Sequence, residues 1–424
     1  MGGDPSWTPN LDAFARQADW VGTTVVASSA PVVSLASLMT GVSPWQHQIL
    51  NHKPTLPRPG APLLAQELSR AGYRTVAHVP SEYGLDQFGL LSGFEKVEEM
   101  SIPGATSSAL RLAAPDGELH WLHLREANVT YQRRDAYLPR LASRSNGLPE
   151  KISIRRLLPF ADPNLQLPPS ERALVWELFG HEVAWADHQL GELLAALRES
   201  PAWGPAWIVL TATQGFELGE HGQVLYGQNL GREAIEVPLL IKLPDSRKGE
   251  LSVPDSQRVG QPRLWATLVE AAGGEVAPVH APSLFRAGAR GIVSALYQHN
   301  GVNVFSLLKG DLQLIRSVEF APEEPEFYLA QLKQSGGQAP LSEPADRIFR
   351  RLEQAFLRTR PFSGRPDEAP PCLRLERWTD EGTMPVDDPR LAAELALELR
   401  RRWRGFVDRE RTPREESTLS TTER

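Results

Sequence analysis

The chain is nearly without cysteine: Cys372 is the only one in 424 residues. One thiol cannot close an internal disulfide or build a cysteine-based zinc site. It stands in Pro370-Pro371-Cys372-Leu373, where a loop gives way to a strand, and a bystander thiol is expected there rather than a nucleophile. Lysine is scarce too, with seven lysines against 38 arginines. Acidic residues outnumber basic ones, 52 to 45, and the net charge of −7 argues against a nucleic-acid binder, which needs a basic face for phosphates. No apolar run reaches the length of a membrane span. The opening Met1-Gly2-Gly3-Asp4-Pro5 lacks the basic start and apolar stretch of a secretion signal, and the compartment is left open.

What is present is ordinary globular material, 41% hydrophobic and 23% charged, long enough for a large domain and a small one. Thr8 is expected to cap a helix with Pro9 at its first position and Asp12 at the positive end of its dipole. Val21 to Ala27 reads as a strand. Ser34 to Thr40 reads as a short helix stopped by Gly41. A helix over Ala61 to Ala71 precedes a strand over Tyr73 to Val79, and Leu119 to Leu124 reads as another strand. Ser170 is expected to cap the longest helix, whose apolar stripe is Leu174, Leu178, Val183, Ala186, Leu190, Leu194 and Leu197. Strands over Trp207 to Thr211 and Val237 to Lys242 follow. This alternation predicts an α/β fold, a doubly wound and mostly parallel sheet flanked by helices.

After about residue 285 the rhythm changes to short strands over Gly291 to Leu296, Val302 to Leu308 and Leu312 to Ser317. They predict a small C-terminal α+β domain: an antiparallel sheet, a helix over Ala345 to Leu357, a loop from Arg360 to Pro371, and a last helix capped by Asp388. Arg400, Arg401, Arg402 and Arg404 in that helix read as a solvated face suited to the negative dipole end. The expected division is 1–285 for the large domain, 286–408 for the small one, and 409–424 as a disordered tail.

Six segments resemble one family in the right order. Thr8-Pro9-Asn10-Leu11-Asp12, Ala36-Ser37-Leu38-Met39-Thr40-Gly41, Ala71-Gly72-Tyr73-Arg74-Thr75, Leu218-Gly219-Glu220-His221-Gly222, Val237-Pro238-Leu239-Leu240-Ile241-Lys242 and Gly310-Asp311-Leu312-Gln313-Leu314-Ile315-Arg316 are similar to motifs of the sulfatases, in the alkaline phosphatase superfamily. The resemblance implies hydrolysis of sulfuric esters with a divalent cation, a nucleophile beside it, and groups that protonate the leaving oxygen.

At the positions where that chemistry belongs, the sequence departs from the pattern. The family's nucleophile motif C-x-P-S-R maps to Pro31-Val32-Val33-Ser34-Leu35. Pro31 has no nucleophilic atom, and Leu35 has lost the arginine charge. Ser34 matches the family's structural serine and is expected to cap the helix rather than to attack a substrate. The second metal-ligand pair maps to Thr213 and Gln214, a neutral pair that cannot offset the desolvation of a divalent cation as carboxylates do. Asn128 stands where a substrate-binding His would be, Tyr226 where a basic residue precedes a glycine, and Pro80 and Glu82 in place of a Lys and a His. Glu220 and His221 survive, and a turn-shaping role is expected of them because their partners have gone.

The family's first strand and its Asp pair have no counterpart here, and a start further upstream is expected over a truly short chain. The reading is a pseudoenzyme without cofactor or metal that has a binding or regulatory role, with an anionic ligand or an active homologue as candidate partner. The alternative is an active sulfate or phosphate ester hydrolase or transferase with an altered site and calcium or another divalent cation.

Overall fold

The computed structural model describes residues 4–50, 56–57, 61–80, 85–99, 117–124, 127–161, 167–220, 224–252, 258–278, 280–286, 291–297, 302–319, 373–380 and 382–411. The expected helix at 345–357, the loop at 360–371, Cys372, Glu82 and His221 lie outside these residues.

In chain order the main elements are α1 (Pro9–Ala15), β1 (Trp20–Val25), α2 (Pro31–Thr40), α3 (Leu64–Arg70), β2 (Arg74–Val79), β3 (Lys96–Glu99) and β4 (Glu118–Leu122). The long helix α4 (Pro169–Glu199) leads to β5 (Ile208–Thr211), β6 (Glu236–Lys242), β7 (Arg258–Gly260) and α5 (Pro262–Ala271). The strands form two sheets in the order β7-β1-β6-β5 and β3-β2-β4. Pairing is parallel at β1·β7, β2·β3 and β2·β4, and antiparallel at β1·β6 and β6·β5. Helices α2, α3 and α5 cover one face through a core of Val33, Leu35, Met39, Leu64, Ala77 and Trp265. On the other face, Phe14 of α1 and Leu194 of α4 pack with Leu240 of β6. This is an α/β body with helices on both faces of the sheet strands.

A five-stranded antiparallel sheet follows, in the order β8 (Ile292–Tyr297), β9 (Val302–Lys309), β10 (Leu312–Glu319), β11 (Leu373–Thr379) and β12 (Gly382–Pro385), with α6 (Pro389–Arg411) laid against it. Strands β11 and β12 are a hairpin, of which the sequence reading marked only a strand beginning after Cys372. Trp378 of β11 anchors the sheet to the body. Its ring lies under the guanidinium groups of Arg232, at 5.4 Å, and Arg258, at 4.8 Å, and both pair with Glu236 of β6. Its indole N–H donates to Gln313 at 2.9 Å.

Three expected caps are corrected. Thr8 precedes α1, but its side chain makes no capping bond. Buried Asp187 of α4 takes that role instead, accepting the backbone N–H groups of Asn10 at 3.1 Å and Leu11 at 2.8 Å. Helix α4 begins at Pro169, so Ser170 lies inside its first turn rather than before it. Helix α2 begins at Pro31, which places Ser34 one turn inside and leaves Ala30 at the cap. The cap of α6 is as read, with Asp388 accepting the N–H of Leu391 at 2.9 Å. Helix α6 runs to Arg411, three residues into the stretch read as a tail, and 412–424 lie outside the described residues. The buried face of α4 is also more polar than the stripe implies. His181, Glu182, Asp187 and Gln189 are buried beside Leu178 and Leu194, because this face ties down other elements as well as packing.

Candidate functional site

Proline at the first turn of a helix sacrifices no hydrogen bond, because that N–H has no intrahelical partner. Pro31 occupies this position of α2, and Ala30 before it is extended, at φ −84° and ψ 120°. The helix ends at Gly41, whose φ of 68° is left-handed. Leu35, at the former arginine position, is 1% exposed and packs in the core with Val33, Met39 and Trp265. An arginine there would put a charge into this apolar cluster.

Two loops lie near the start of α2, one after Tyr226 and one after β5. Ser29 donates its hydroxyl to the Asn229 carbonyl at 2.6 Å. A Cβ on Gly227 would fall 4.0 Å from the Cα of Ala30. Ala30 and Ala212 pack against one cluster that includes Val25, Leu230 and Ile235. Ala30, just before Pro31, therefore borders one cluster with Ala212 and lies against the loop after Tyr226. Ser34 points elsewhere: its hydroxyl donates to the side-chain carbonyl of Gln261 at 2.9 Å.

Thr213 and Gln214, expected at the second metal-ligand position, are bonded to each other. The Thr213 hydroxyl donates to the side-chain carbonyl of its neighbour Gln214, which is buried. Gly215 donates its N–H to the Ala234 carbonyl at 3.0 Å, and a Cβ there would fall 1.9 Å from the Glu233 carbonyl oxygen. Both candidate oxygens are neutral and engaged with each other. Among the described residues no group of three His, Cys, Asp or Glu side chains converges where it could hold a metal ion. The donor set present does not fit a divalent cation, which takes several charged oxygen ligands.

Tyr226 stacks edge to face on Phe216, with ring centres 5.4 Å apart. Phe216 meets Phe179 of α4 at 5.7 Å, and Phe179 meets Tyr131 at 5.6 Å. This aromatic run was missed in the sequence, where its members are 95 residues apart from first to last. Tyr131 is fully buried and its hydroxyl has no hydrogen-bond partner among the described residues. Burial first, then the nearby Tyr226, Glu182 and Glu220, push that hydroxyl far above the usual phenol range. Glu220 is exposed and accepts the N–H of Leu218 at 2.6 Å, closing its own turn. The side-chain oxygen of Asn128 accepts the N–H of Val129 at 2.8 Å. His123, at the end of β4, is held neutral by burial, its pKa pushed down to about 4.

No protein-family model matches the chain, and no curated protein matches it. Solved structures do. One comes from a Bacteroides thetaiotaomicron core locus for metabolism of multiple glycosaminoglycans, at 14% identity and TM-score 0.57, covering 84% of this chain and 88% of that one. A 2-O GAG sulfatase matches at 16% identity and TM-score 0.55, covering 82% and 85%. The phosphonate monoester hydrolase of Agrobacterium radiobacter matches at 13% identity and TM-score 0.51, covering 90% and 95%. At such identities the likeness speaks for architecture and not for activity. The chain has a sulfatase-like fold.

Proposed function

We propose that this sulfatase-fold chain does not hydrolyse sulfate or phosphate esters and serves in a binding or regulatory role. The observation that carries the reading is Pro31 at the first position of α2. Here a nucleophile would profit from the positive end of the helix dipole, and proline supplies no attacking atom. The neutral, mutually bonded Thr213 and Gln214 support it, since activation of an ester oxygen by a divalent cation needs ligands of opposite charge. Glu220 is a turn residue in this reading, and Asn128 and Tyr226 carry no charge for a substrate anion.

The test is elemental analysis and turnover on one preparation of the full chain. Less than about a tenth of an equivalent of calcium, magnesium, manganese or zinc is expected after dialysis. Aryl sulfate and aryl phosphate hydrolysis should stay at the buffer rate with each of these ions added. Near one equivalent of retained metal, or saturable turnover, would replace this reading with an active hydrolase whose site is rebuilt from other residues.

A further inference from the structure

The segment between β4 and α4 is basic in a chain that is acidic overall. Residues 127–161 hold seven arginines and lysines against two acidic residues, while the whole chain carries −7. Part of this charge borders an uncovered apolar face. Ile154–Leu157 forms one helical turn, and Leu158 continues it at φ −54° and ψ −36°. Leu157 is buried with Val175, Leu218 and Val224. Ile154 and Leu158 stand one turn apart and are 43% and 58% exposed. Lys151 and Arg155, close to them in the chain, are exposed. Arg156 pairs with Glu171 at 2.6 Å, which brings the turn to the start of α4, where Arg172 is exposed as well. Among the described residues no carboxylate pairs with Lys151, Arg155 or Arg172. Covering this face asks for apolar surface edged by negative charge.

A face of that kind lies on β3. Val97 is the register partner of Ala77 in β2. Ala77 is fully buried in the core that α2, α3 and α5 cover, whereas Val97 is 45% exposed. The helical cover over β2 therefore stops short of β3, which has no strand beyond it among the described residues. Glu95, just before β3, donates its N–H to the Thr75 carbonyl at 3.0 Å and so keeps the line of the strand. Side chains alternate along a strand, which puts Glu95 and Glu99 on the side of Val97. Both are exposed, and no cation pairs with either among the described residues. Lys96 and Glu98 turn to the opposite side, where they pair with each other and Glu98 lies 3.1 Å from His78. Glu95, Val97 and Glu99 make a stripe about 13 Å long, apolar in the middle and negative at both ends.

We propose that these two faces bind each other between copies of this chain, with Val97 of one copy seated on Ile154 and Leu158 of the next and the two carboxylates set among the three cations. The faces differ, so the contact is heterologous: each copy uses one face on each neighbour and keeps the other open. Copies then add head to tail, into a ring if the angle closes and into an open series if it does not. Few apolar atoms are covered, which places the contact in the weak, reversible class. The inference is independent of the reading of Pro31 and holds whether or not the chain turns over an ester.

The experiment is sedimentation equilibrium of the full chain over about 10 to 500 µM, in about 0.1 M salt to screen the repulsion of like net charge. The average mass should rise above that of one chain within this range. Arg155→Glu with Arg172→Glu removes the basic face. Glu95→Gln, Val97→Thr and Glu99→Gln together remove the acidic one and keep residues suited to a strand. Either set should abolish the rise. An equimolar mixture of the two variants should form a species of two chains and stop there, because one intact basic face meets one intact acidic face and the altered faces do not attract. A parent chain that stays monomeric overturns the proposal, and this measurement needs no variant to fold. Association that survives either set of substitutions overturns it too. So does a mixture that stays monomeric while both variants unfold at the parent's temperature, or one that grows past two chains.

Discussion

The hydroxyl of Ser34 donates to the side-chain carbonyl of Gln261 at 2.9 Å, and both residues are fully buried. The same carbonyl lies 3.5 Å from the backbone N–H of Ala27, and the Gln261 N–H donates to the Val25 carbonyl at 3.0 Å. One glutamine at the entrance of α5 thus holds the end of β1 and the first turns of α2 together. A serine that the family motif offers as a neighbour of the nucleophile is here a structural donor.

Ser34→Ala should therefore destabilise the fold by about 1–3 kcal/mol, the cost of leaving a buried acceptor short of its donor. A urea midpoint lowered at constant m would show it. Ser34→Ala combined with Gln261→Leu should cost less than the sum of the two singles, because removing both partners strands neither. Strict additivity would mean that the two side chains do not interact.

Gly215→Ala should be far more damaging than Gly72→Ala. A Cβ at 215 would overlap the Glu233 carbonyl oxygen at 1.9 Å, whereas at 72 nothing lies within 4 Å and only the left-handed φ of 90° resists. The expected losses are about 3 kcal/mol or more at 215, as for other overpacked sites, and about 1 kcal/mol at 72. Thermal unfolding of the two variants side by side decides it, and equal losses would contradict the close approach of the two loops.

His47 predicts a loss of stability in mild acid. Its ring is fully buried, Nδ1 accepts the Ile49 N–H at 3.1 Å, and Nε2 therefore carries the proton and donates to Ser37 at 2.9 Å. Burial lowers its pKa to about 3. The unfolded chain takes up this proton near pH 6.5 and the folded chain does not until about 3. Stability is therefore full above about pH 6.5 and falls as pH drops through the window between the two values, by about 1.4 kcal/mol per pH unit for this group. Urea unfolding at pH 7 and pH 5 should differ by about 2 kcal/mol more in the parent chain than in His47→Gln, which cannot titrate. An unchanged difference would rule out a neutral buried imidazole.

Much of the fold was legible locally. The strands at 74–79 and 236–242 and the helix over 169–199 follow from period and turn residues, with boundaries one to three residues off. Of the hairpin at 373–385 only the start of a strand after Cys372 was read, because a proline- and glycine-rich stretch precedes it, although Leu373, Arg374 and Leu375 alternate as a half-buried strand should. Caps were the weakest readings. Ser34, Ser170 and Thr8 are all good capping types, but capping depends on which backbone groups the packed neighbours leave open, and Asp187 reached α1 first.

What the sequence determined by itself is chemical. Proline at 31 and leucine at 35 offer no nucleophilic atom and no charge, and threonine and glutamine at 213 and 214 are neutral at pH 7. What only the tertiary structure decided is who satisfies whom: Asp187 capping a helix 177 positions away, and Ser34 bonding Gln261. Local sequence sets which segments become helix or strand because those bonds close within a few residues. Pairings between distant segments are set by the packing of whole elements, which no short window of sequence contains.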